Sequence, residues 1–147
     1  MSECPYKAEI ESIIIQGNAM TLVDTAKKIA KTLIIRKDRD KVDESSSVST
    51  SQIRNIYGSS KKIQMALNES NIQQMYSKLV LLKPKMAYAN GRFNKKTKSG
   101  DKIPGFRILT DCLQYAIDNV KGDFNRMQNF FDFFEAILAY HKAEGGK

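Results

Sequence analysis

One histidine, two cysteines and, among sixteen carboxylates, five toward the end of this 147-residue chain are the first candidates for covalent or metal chemistry. Their spacing assembles none. His141 stands near the end of the chain, and no Ser–His–Asp or Cys–His arrangement can be argued from its neighbours. Its expected place is a surface or partly packed position in a last helical turn, where a cation is mildly favoured. Asp111, Asp118, Asp123, Asp132 and Glu135 are spread over two segments. Asp132 and Glu135 share a helix face, but two carboxylates without a third acid or a histidine make a weak metal site. Cys4 and Cys112 do not form a CxxC pair and are expected as free thiols. No glycine-rich phosphate loop of the G-x-x-x-x-G-K-[ST] form occurs. The inventory therefore predicts no catalytic residue, no metal site and no cofactor.

The cations tell more. Residues 54–102 hold eleven Lys and Arg and only two acids, Glu69 and Asp101. The segments on either side are nearly neutral, so the chain's net charge of +8 belongs to this one stretch. Such a concentration points to a polyanionic partner. The blander alternative is a solvated face with a basic loop. Arg54, Lys61 and Lys62 lie away from the apolar stripe of Ile53, Ile56 and Ile63, and Arg54 and Lys61 are two helical turns apart. Lys83 and Lys85 flank Pro84. Arg92, Lys95, Lys96, Lys98 and Lys102 crowd one expected loop. Rigid helical cations beside a basic arm suit a phosphate backbone, whose charge is regular and needs no reading of base edges. Tyr57 and Tyr88 could stack on bases, although both are expected as buried aromatics with bonded hydroxyls.

Helices must position these cations. The length fits a single domain over residues 1–147. Apolar residues recur at helical spacing through Thr21–Ile35, with Leu22, Ala26, Ile29, Ala30, Leu33 and Ile34 on one face. Ile10 to Ile15 is ambiguous between a helical turn and a short strand. A second helix follows a Ser49-x-x-Gln52 capping box, weakened in its middle by Gly58, Ser59 and Ser60. A third begins near residues 69–71 and carries Ile72, Met75, Tyr76, Leu79, Leu82 and Met86, with a kink expected at Pro84. A fourth covers Phe106 to Val120. Gly122 ends it, and Asp123 caps a fifth over Phe124 to Lys142. The fifth has five Phe in eleven residues, an apolar face broad enough that part of it could meet another subunit. Residues 36–49 and 91–105 read as flexible loops. The expected architecture is all-α, a single-domain bundle of about five helices. No window is long and apolar enough for a membrane span, and Met1-Ser2-Glu3 lacks a basic leader, so a cytoplasmic protein without membrane contact is expected.

Two blocks carry a family resemblance. One is Thr50-Ser51-Gln52-Ile53-Arg54, followed by Leu82-Lys83-Pro84-Lys85-Met86-Ala87-Tyr88-Ala89-Asn90-Gly91-Arg92. The other is Phe133-Phe134-Glu135-Ala136-Ile137-Leu138-Ala139-Tyr140-His141-Lys142. In order and spacing they resemble the small subunit of the type III-A CRISPR effector, the Csm complex, over most of residues 48–143. The resemblance implies a non-catalytic subunit. Several copies would stack beside a filament of backbone subunits and abut the large signalling subunit, holding guide RNA and the target RNA paired to it. It places Arg54, Lys85 and Arg92 on the family's basic positions. The local charge adds Lys61, Lys62, Lys83, Lys95, Lys96 and Lys98 to the candidate RNA-binding set. The alternative is a helical protein–protein adaptor that uses the Phe face and makes no direct RNA contact.

Overall fold

The computed structural model describes residues 4–34, 50–96 and 104–145; for residues 50–52, 91–96 and 104 it describes the backbone alone. The expected loop at 36–49, the capping residue Ser49 and Lys98 lie outside the described residues. Seven helices follow in order: α1 (Lys7–Gln16), α2 (Ala19–Thr32), α3 (Thr50–Ala66), α4 (Ile72–Val80), α5 (Leu82–Lys96), α6 (Pro104–Val120) and α7 (Phe124–Ala143). No strand occurs among the described residues.

The count exceeds the expected five for two reasons. The ambiguous Ile10–Ile15 run is α1, because Ile10, Ile13 and Ile14 are all buried, at helical rather than alternate spacing, while Ile15 is exposed. Gly17 closes α1 in the left-handed conformation, φ +67°, and its N–H bonds to the Ile13 carbonyl at 3.1 Å. The expected third helix is two, α4 and α5, divided at Leu81. Pro84 therefore occupies the first turn of a new helix instead of kinking a continuous one. There its missing N–H has no intrahelical acceptor to leave vacant. The expected 91–105 loop is helical at both ends, since α5 runs through Lys96 and α6 begins at Pro104; residues 97–103 lie outside the described residues.

Helix α7 is the axle of the bundle, packed against α1, α2, α3 and α6. Asp123 caps it as expected, its carboxylate accepting from the Arg126 N–H at 2.9 Å. Phe130, Phe131, Phe133 and Phe134 are all buried within the chain. Phe130 meets Phe131 and Phe134 edge to face at 5.8 and 6.2 Å, and Tyr57 of α3 meets Phe134 at 5.2 Å. Four of the five Phe of the broad face are thus consumed by α7's own neighbours, and Phe124 is half-buried. His141 is fully buried, not at the surface, because it continues the Met127–Phe130–Phe134–Ile137 stripe by one more turn. Asn129 anchors α1 to α7 by donating to the Ile14 carbonyl at 3.0 Å, one of the carbonyls that the end of α1 leaves without an intrahelical donor.

Both cysteines are free and buried. Cys4, ahead of α1, accepts a hydrogen bond from the Cys112 thiol of α6. The bond, with burial, pushes the Cys112 thiol far above its ordinary range and draws the Cys4 thiol below its own. Above the ordinary thiol range Cys4 is ionised folded or unfolded, so the Cys112 proton sets the pH dependence. The unfolded chain loses this proton above about pH 8.5, whereas the folded chain keeps it. The contribution of Cys112 to stability is therefore complete below that pH and is lost as pH rises. Urea midpoints are expected to fall between about pH 8 and pH 10, and to fall less in Cys112→Ala.

Candidate nucleic-acid interface

The cations of α3 and α5 meet because Ile53, Ile56 and Ile63 on one helix and Leu82 and Met86 on the other are drawn into the same core. This leaves the opposite face of α3 in solvent, flanked by α5. A shallow basin of about 490 Å³ opens there, lined by Arg54, Asn55, Gly58, Ser59, Lys62 and Lys85. Three of its six lining residues are cationic and none is acidic.

All three cations are exposed to solvent. Arg54 and Lys62 are exposed and have no ion pair with a described residue. They lie eight residues apart on α3, about 12 Å along its axis. Lys85 reaches across from α5 and donates to Ser59 Oγ at 2.7 Å, and Ser59 donates in turn to the Asn55 carbonyl at 3.3 Å. An ammonium has three N–H groups, so two remain for a ligand while the third holds the side chain over the basin.

Gly58 forms the floor between Arg54 and Lys62, four residues from each. A Cβ built there would meet nothing within 4 Å. A glycine in a helix interior costs about 1 kcal/mol relative to alanine. Neither a positive φ nor a close neighbour requires it at this position.

The other candidate cations distribute as follows. Lys83, two residues from Lys85, points about 200° away around α5. It pairs with Asp118 of α6 at 2.5 Å, so it ties two helices together on the far flank. Lys61 is half-buried and does not line the basin. Arg92, Lys95 and Lys96 belong to the last turns of α5; Arg92 is in register with Lys85, seven residues on. Their side chains and Lys98 lie outside the description.

The two tyrosines part company. Tyr57 is half-buried against Phe134, and burial and then Glu135 raise its phenol, which therefore stays neutral near pH 7. Tyr88 was expected inside but is 71 % exposed. It sits one turn beyond Lys85 on the same flank of α5, where a base could lie against its ring.

Among the described residues, no three His, Cys, Asp or Glu side chains are grouped to hold a metal. Burial, then Glu135, raises the Asp132 carboxyl, and this pair stays isolated on α7. No described helix is long and apolar enough to cross a membrane. A family model described as Csm2 Type III-A matches residues 16–147. No curated protein and no solved structure matches the chain.

Proposed function

The chain belongs to the Csm2 Type III-A family, whose members are subunits of the type III-A CRISPR Csm complex, and on that premise we propose that it is the complex's non-catalytic RNA clamp. In this reading several copies stack along the guide RNA and its paired target in the cytoplasm, beside the backbone subunits and against the large signalling subunit. Base pairing between guide and target supplies the sequence specificity. This subunit supplies fixed cations along the phosphates.

The observation that carries the reading is the convergence of Arg54, Lys62 and Lys85 on one carboxylate-free basin. Tyr88 adds an exposed aromatic on the same side. Arg92, Lys95 and Lys96, on the last turns of α5, and Lys98, which follows them in sequence outside the described residues, are the further cations this reading assigns to RNA, with Lys61 beside Lys62 on α3. Lys83 contributes by bracing α5 on α6 through Asp118. The adaptor reading loses its main support, because four of the five Phe it would use are buried inside the chain. Among the described residues, the large aliphatic side chains that remain exposed, Ile15, Met20, Val23, Met65, Val80 and Leu81, are spread from α1 to the α4–α5 junction.

Three cations on a single strand correspond to a slope of about −2 in log affinity against log salt. Fluorescence anisotropy of a labelled single-stranded RNA of generic sequence, titrated with the purified chain across a salt series, is expected to show it. A flat salt response, or no binding at low salt, contradicts the clamp.

A further inference from the structure

Three reasons can place a glycine in a folded helix: a left-handed backbone, close approach of another element, or close approach of a ligand. Gly17 and Gly122 show the first, with φ of +67° and +72°. Gly105 shows the second, since its Cβ would run into the Thr32 carbonyl of α2. Gly58 shows neither. Its φ is negative, and its Cβ would enter open space. That space is bounded by Arg54, Lys62 and Lys85.

We propose that the bare backbone at Gly58 is the seat of an RNA phosphodiester group, held between Arg54, Lys62 and Lys85. The inference rests on the clamp reading and adds a positioning residue that carries no charge. Any side chain at position 58 would stand on the α3 ridge between Arg54 and Lys62, four residues from each. It would push the phosphate off the helix and out of simultaneous reach of the three cations. Lys85 is already aimed by its bond to Ser59, so it cannot follow the displaced phosphate without giving up that bond.

The test compares Gly58→Leu and Gly58→Ala with wild type in the full chain, reading thermal melting and RNA affinity by anisotropy. Leucine changes no charge and is a better helix former than glycine, so both variants are expected to melt higher than wild type. Displacing one phosphate at low salt is expected to weaken binding about tenfold for Gly58→Leu. Gly58→Ala should fall between it and wild type. The losses should appear on a single strand and on a guide–target duplex alike if either strand's backbone takes the seat. A loss on one form alone assigns the seat to that form. If Gly58→Leu binds both forms like wild type while the Arg54→Glu/Lys62→Glu/Lys85→Glu variant does not, the seat at Gly58 is wrong and the clamp stands. If both variants bind like wild type, the clamp and the seat are both wrong.

Discussion

Gly105→Ala is expected to destabilise the fold by about 3 kcal/mol, at the upper end of what overpacking usually costs. Alanine normally improves a helix, and Gly105 lies in the first turn of α6, so the sign is informative. The added methyl would come within 2.8 Å of the Thr32 carbonyl carbon, closer still to its oxygen, and within 3.3 Å of Leu33 Cα. All three are backbone atoms at the end of α2, and no rotamer change can move them aside. Either α2 and α6 separate, or the start of α6 unwinds. Helix α2 packs on α7 and α6 together, so a shift propagates into the core. Thermal unfolding should drop by roughly 10 °C, whereas Gly58→Ala in the same experiment should rise. Equal melting of Gly105→Ala and wild type would mean that α6 does not begin against α2.

Reversing the three basin cations, Arg54→Glu, Lys62→Glu and Lys85→Glu, is expected to weaken RNA binding by about 500-fold at ~50 mM salt. The figure is the electrostatic gain that a slope near −2 accumulates between ~1 M and ~50 mM salt. Reversal adds repulsion, so it is a lower bound. The fold should survive. Arg54, Lys62 and Lys85 are exposed, and the one described bond lost is that of Lys85 to Ser59. Surface charge changes of this kind usually move stability by under about 1 kcal/mol. Reversing Lys83 should give the opposite pattern. Its ion pair with Asp118 would become a like-charge contact between α5 and α6, so melting should suffer more than RNA affinity. The two variants, read together by anisotropy and circular dichroism, separate ligand cations from structural ones.

The periodic part of the fold was legible in the sequence. Helices α2, α6 and α7 each carry an apolar stripe at three and four spacing, and Asp123 is a cap with a visible mechanism. Helix α1 was not, because Ile13-Ile14-Ile15 is β-branched, short and apolar on every side, and such a run suits a strand as well as a helix. The division at Leu81 was displaced to Pro84, since sequence shows the ring but not where the chain relieves it. The Phe-rich face looked wide enough that part of it could meet another subunit. Helix α7 has four packed neighbours, which no count of its own residues could reveal. The site divides the same way. The family blocks together with the charge map singled out Arg54 and Lys85, and local charge singled out Lys62, yet charge also singled out Lys83, whose acid partner is thirty-five residues away. Gly58 read as a weak point in a helix, and Gly105 as the end of a loop. Only the surroundings of an absent Cβ tell one from the other. Tyr88 read as core because an aromatic with a bonded hydroxyl is more often buried than free; helical register turns it outward.

The most direct test of the clamp is made in the assembled effector. The Csm complex is reconstituted with wild-type subunit or with the Arg54→Glu/Lys62→Glu/Lys85→Glu variant, and target-RNA affinity is measured across a salt series once equal assembly has been verified by size and subunit ratio. The clamp expects the variant complex to assemble, to bind target at least about tenfold more weakly, and to lose part of the salt dependence. Equal affinity and an equal salt slope in the two complexes would contradict it and leave the subunit as an adaptor between proteins.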